Sequence, residues 1–111
     1  MTANEYQVAA LRTANKTLDM DALLMDGVLG LNGEAGECAD IMKKHLYQGH
    51  GLDKVHLMKE LGDCLWYAAI AAHALGYTLD EVMEANKAKL EARYPEGFCE
   101  FRSRNRIAGD V

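Results

Sequence analysis

A single proline, Pro95, does more than any other residue to limit the folds open to this chain of 111 residues. No pyrrolidine ring breaks a helix anywhere in the long stretch before it. β-Branched residues are scarce, and Ala, Leu, Glu, Lys and Met dominate, a composition that favours helices throughout. The spacing of caps and apolar residues predicts four helices. The first starts near Thr2, with Glu5 as its capping-box partner, and runs through Tyr6, Val8, Ala9 and Leu11 to about Lys16. Asp19 or Asp21 caps the second, which runs from about Ala22 to Tyr47. Gln48-Gly49-His50-Gly51 reads as a loop. Asp53 caps the third, which reaches Leu75 and stops at Gly76. Thr78 with Glu81 forms another capping box, and the fourth helix ends at Tyr94, before Pro95. The expected architecture is all-α, a four-helix antiparallel bundle-like domain spanning 1–111. Its core covers 22–98, and an irregular tail over 99–111 carries Arg102, Arg104 and Arg106.

Two acidic pairs lie on the long helices: Glu34-Ala-Gly-Glu37 and Glu60-Leu-Gly-Asp63. The i, i+3 spacing puts both carboxylates of a pair on one helix face. Two such helices side by side would bring four carboxylates together, and a hard divalent cation with oxygen ligands turns that repulsion into attraction. The alternative is two solvated acidic faces. The neighbours of Glu60 and Asp63 weigh against it. From Cys64 to Leu75 the third helix has almost no polar face, so it should be buried on most sides, with Leu57, Leu61 and Leu65 around the acidic pair. Carboxylates there would be partly desolvated and, without a cation, protonated or destabilising. Such extensive burial in so short a chain also points to a subunit interface.

Gly27, Gly30, Gly33 and Gly36 recur at every third position of the second helix. Each costs about 1 kcal/mol against alanine in a helix interior. Either a flat face admits another backbone or a ligand, or the helix is broken here.

The net charge of −5, with no basic tail and no dense Lys/Arg run, argues against binding to nucleic acid polymers. Three cysteines, Cys38, Cys64 and Cys99, lack CxxC spacing and read as neither a disulfide framework nor a zinc site. Cys38 and Cys64 read as small core residues. The start Met1-Thr2-Ala3-Asn4-Glu5 lacks signal-peptide character, and no uncharged apolar run is long enough for a membrane span, so a cytoplasmic location is expected. No Glu is followed by His at +3, which weighs against a di-metal carboxylate bundle for oxygen chemistry.

The motif blocks, taken in order, resemble a known family. Gly30-Leu31-Asn32-Gly33-Glu34-Ala35-Gly36-Glu37 is followed by Lys59-Glu60-Leu61-Gly62-Asp63, then by Asn86-Lys87-Ala88-Lys89-Leu90 and Arg93-Tyr94-Pro95-Glu96-Gly97-Phe98. The chain resembles the MazG-like group of all-α nucleoside triphosphate pyrophosphohydrolases over roughly Leu24 to Phe98. That resemblance implies Mg-dependent cleavage of a (deoxy)nucleoside triphosphate between the α- and β-phosphates, clearing non-standard or surplus nucleotides. It implies Glu34, Glu37, Glu60 and Asp63 as ligands of Mg2+, with Mn2+ as a substitute, and a glutamate of the first pair, Glu34 or Glu37, as the catalytic base. The competing reading is a catalytically silent helical module that binds a nucleotide or a protein partner.

Asn86, Lys89 and Arg93 share a face of the fourth helix by spacing. They suit a phosphate chain, or else a solvated face pairing with Glu84 or Glu91. Tyr67, four residues after Asp63, either contacts sugar or base or is a core tyrosine. Lys59 and Lys44 are weaker phosphate candidates, and none of His45, His50, His56 and His73 is given a role. The short leading helix, with Tyr6 and Gln7, offers little to read a base. Cysteines stand at 38 and 64, where the family usually has aliphatic residues. A homodimer or homotetramer is expected.

Overall fold

A computed structural model describes all 111 residues. Five helices form: α1 (Ala3–Leu11), α2 (Met20–Tyr47), α3 (Lys54–Ala74), α4 (Leu79–Arg93) and α5 (Glu100–Arg104), and no strand. They divide into two compact units, Met1–Leu79 and Asp80–Val111. No helix is long and apolar enough to cross a membrane.

In the first unit α2 packs along α3, and α1 lies against α3. Three of the predicted caps are present, at the starts of α1, α2 and α3. Thr2 and Glu5 close the capping box of α1, Asp19 Oδ1 accepts from Ala22 N at 2.8 Å, and Asp53 Oδ1 accepts from His56 N at 2.9 Å. At the end of α3, Gly76 adopts φ +87°, which a side chain would disfavour. Tyr77 N then reaches Ala72 O, and Gly76 N reaches His73 O, both at 2.9 Å.

α1 ends at Leu11 rather than near Lys16. Polar side chains compete with the helical bonds there. Asn15 Oδ1 accepts from both the backbone N and the hydroxyl of Thr17, at 3.0 and 2.7 Å, and Lys16 Nζ donates to the Leu11 carbonyl. The tail expected to be irregular forms the short α5, so the helices number five rather than four.

α2 is unbroken through its glycines, and the close-approach reading holds for two of them. A Cβ on Gly27 would lie 2.9 Å from Ala71 Cβ and 3.0 Å from Ala71 N. A Cβ on Gly30 would run into the Tyr67 ring, whereas Gly33 and Gly36 face open space. The pairs Gly27 with Ala71 and Gly30 with Tyr67 advance in opposite senses along the chain, so α2 and α3 are antiparallel.

Ala10, Leu23, Ala69, Ile70 and Leu79 form the core, with Tyr6, Leu18 and Trp66 around it. Trp66 Nε1 donates to Ala10 O at 3.1 Å and Thr13 Oγ1 at 2.9 Å, tying α3 to α1. Gln7 is buried within this layer. Its amide donates to Ala69 O and Tyr77 O, each at 3.1 Å, and its Oε1 accepts from Leu79 N at 3.0 Å. The burial expected along α3 is confined to Ala69, Ile70 and Ala72. Leu61 and Leu65 stay 54% and 56% exposed, because within one chain α1 and α2 cover only part of the α3 surface.

In the second unit α4 ends at Arg93, with Tyr94 N still bonded to Leu90 O at 2.8 Å ahead of Pro95. Gly97 N closes a turn on Tyr94 O at 3.1 Å, and the Tyr94 and Phe98 rings lie 5.6 Å apart. Arg93 and Asp110 join the end of α4 to the C-terminal segment. Nε donates to Oδ2 at 2.8 Å and Nη2 to Oδ1 at 2.7 Å.

Candidate metal centre

Antiparallel packing of α2 and α3 turns two local i, i+3 motifs into one cluster. Carboxylate oxygens of Glu34, Glu60 and Asp63 all lie within 4.8 Å of one another. Glu34 and Glu60 are half-buried and Asp63 is exposed. Glu37, one turn beyond Glu34, stands outside this trio, exposed, though its charge still reaches Glu34.

The crowding has an electrostatic signature. The Glu34 carboxyl is raised above its ordinary value, first by a hydrogen bond with Glu60, then by burial, then by the charges of Glu60, Asp63 and Glu37. Crowding of this kind is relieved by a proton on one of the acids, and a divalent cation can take the proton's place. The donors are all hard oxygens on two rigid helices, which suits a magnesium-class ion rather than a thiophilic one.

Two residues that sequence reasoning left aside belong to the surroundings. His56 Nε2 lies 3.1 Å from Glu60 Oε1, one helical turn away. The i, i+4 spacing of His56 and Glu60 was the signal available for it. The Tyr6 hydroxyl reaches Gly62 O at 3.4 Å, and burial, with the nearby charge of Asp63, raises its pKa. No local pattern marks Tyr6, which reaches α3 from α1 across 56 positions of chain.

The other candidates are dispersed. Tyr67 is half-buried, its ring against Gly30 and edge-on to Trp66 with centroids 4.9 Å apart, a packing position in the α2–α3 seam. Lys59 is exposed beside Glu60. Lys44 pairs with Asp40 at 2.7 Å and not with a glutamate of the motif. Cys38 and Cys64 are both free and half-buried; burial, followed by contact with Cys38, raises the Cys64 thiol.

On α4 the shared stripe is split between two clefts. Asn86 lines one with Met83, Leu90 and Tyr94, whereas Lys89 and Arg93 line the other. Arg93 is already engaged by Asp110, a partner 17 residues away that helix spacing gives no means of finding.

Residues 27–98 match the family model described as the MazG nucleotide pyrophosphohydrolase domain. The chain is 35% identical over 114 residues to the "Gene 37 protein" of Mycobacterium phage L5, an alignment that spans 96% of this chain and 100% of that protein. No solved structure matches the chain.

Proposed function

Because this chain belongs to the MazG nucleotide pyrophosphohydrolase family, we propose that it hydrolyses a (deoxy)nucleoside triphosphate between the α- and β-phosphates. The products are a nucleoside monophosphate and pyrophosphate. The observation that carries this reading is the convergence of Glu34, Glu60 and Asp63 within 4.8 Å. These three would hold Mg2+, or Mn2+ in its place, with Glu37 completing the set. Bound there, the ion would neutralise charge on the departing pyrophosphate and acidify the attacking water.

The chain's own residues supply the rest. Water adds to the α-phosphorus, the bond to the bridging oxygen breaks, and the water's proton passes to a carboxylate. We assign that proton to Glu37, because it lies outside the tight trio and keeps an oxygen free of it. His56, bonded to Glu60, and Tyr6, beside Asp63, orient the acidic residues. Lys59, Asn86, Lys89 and Arg93 are assigned to the phosphates by their chemistry, and Tyr67 shapes the α2–α3 seam. The active form is a homo-oligomer: Val28, Leu29, Leu61 and Leu65 leave an apolar surface on α2 and α3 that a second copy would cover.

The test is to incubate the protein with magnesium and a panel of triphosphates and to identify the phosphate released. Pyrophosphate with a nucleoside monophosphate is expected. Orthophosphate, or no turnover on any member of the panel, would refute the assignment. Light scattering on the same sample should give at least a dimer, and a strict monomer at working concentration would remove the oligomer.

A further inference from the structure

The second unit holds a cavity of about 390 Å³ between the end of α4 and the C-terminal segment. Four cationic side chains line it: Lys89 and Arg93 from α4, Arg102 from α5, and Arg106 just after α5. Asp110 is the only acidic side chain in the lining. It does not sit passively among the cations. Its two oxygens take the Nε and Nη2 of Arg93 in a parallel pair of bonds, at 2.8 and 2.7 Å. Both partners are largely shielded, with 11% and 16% of their side-chain surfaces exposed. Its ionised form is favoured first by Arg93 and further by the charges of Arg106 and Lys89.

One acidic side chain against four cationic ones leaves an excess of positive charge on the lining side chains. A guanidinium fork that accepts a carboxylate in this way accepts two phosphate oxygens with the same geometry. The geometry points to an oligophosphate-binding site in this cavity, built by Lys89, Arg93, Arg102 and Arg106, which the Asp110 carboxylate plugs as an internal stand-in for phosphate. An entering phosphate displaces Asp110 from Arg93 and recruits the remaining cations, so the C-terminal segment is released as the ligand binds. The site rests on the reading of Lys89 and Arg93 as phosphate ligands, but not on the acidic cluster or on turnover.

The test is calorimetric titration of the full chain with sodium tripolyphosphate in EDTA, where the carboxylates of α2 and α3 have no metal through which to hold phosphate. One saturable binding event that weakens with salt is expected. Asp110→Asn should tighten it about tenfold, and Arg102→Gln combined with Arg106→Gln should weaken it about tenfold. Both arginines are exposed, so the double variant should fold, which circular dichroism checks. Adenosine, lacking phosphate, should not bind. Absence of saturable binding, indifference to the double arginine variant, or an Asp110→Asn protein that binds no more tightly would each overturn the proposal. Should Asp110→Asn fold poorly, Asp110→Ser serves the same comparison.

Discussion

The ring of Tyr67 occupies the space that a side chain on Gly30 would need, so these two residues set how closely α2 and α3 approach near the acidic cluster. Alanine at position 30 would gain about 1 kcal/mol in helix propensity. Overpacking of this kind costs about 1–3 kcal/mol, and the ring has to move. Gly30→Ala should therefore lower the urea midpoint, whereas Gly33→Ala, facing open space, should raise it. In a Tyr67→Ala background Gly30→Ala should become stabilising, because the obstacle is gone. Equal effects at positions 30 and 33 would show that the seam is not packed as described.

Gln7 is the one buried polar side chain, and it satisfies three backbone groups at once. Gln7→Leu keeps much of the volume but leaves Ala69 O, Tyr77 O and Leu79 N without that partner. Each buried polar group left unsatisfied costs about 1–3 kcal/mol, so the substitution should destabilise by at least about 2 kcal/mol. Chemical denaturation measures this directly. A loss under about 0.5 kcal/mol, the level of an ordinary surface substitution, would mean that the network is dispensable.

The raised pKa of Glu34 makes a signed prediction. A carboxyl whose folded pKa lies above its unfolded value binds more protons in the folded state. Its contribution is fully present below the ordinary value of 4.5 and is lost as pH rises through the raised folded value. In EDTA, stability should fall with pH across that window, and Glu34→Gln should flatten the fall. Magnesium should restore stability at the high end, where the cluster is ionised. Asp110 has the opposite sign. Its pKa is lowered by Arg93, so its contribution is present above the ordinary 3.8 and disappears as pH falls through the lower folded value. Urea midpoints against pH, with and without EDTA, separate the two groups, and a pH-independent difference between wild type and Glu34→Gln would contradict the crowding.

Glu34 and Glu37 should respond differently to the same change. Glu37→Gln should abolish turnover while leaving the fold and most of the metal affinity, since Glu37 lies outside the trio. Glu34→Gln should weaken metal binding itself, by about tenfold or more, and raise the magnesium concentration needed for activity. Manganese titration, read by electron paramagnetic resonance alongside turnover, distinguishes them. If Glu37→Gln retains near-native activity, its role as proton acceptor is wrong.

What was legible in the sequence is what local physics controls. Thr2, Asp19 and Asp53 cap their helices because a side-chain oxygen three residues away is always within reach of the first free N–H groups. Lone Pro95 and Gly76 end α4 and α3 for equally local reasons, and the two acidic pairs each share a face by helical geometry alone. The early end of α1 was less visible, because propensity differences of a few tenths of a kcal/mol were outweighed by side-chain bonds of Asn15 and Thr17.

Tertiary structure decided which residues meet. The register of α2 on α3, fixed where Gly27 admits Ala71 and Gly30 admits Tyr67, draws Glu34, Glu60 and Asp63 together and leaves Glu37 outside. Packing of α1 against α3 brings Gln7 to Leu79, 72 positions away, and the folded C-terminal segment brings Asp110 onto Arg93. Helical period ties a residue to neighbours three or four positions along, and carries no information about distant partners. Those are selected by steric fit and charge between surfaces that exist only once the chain has folded.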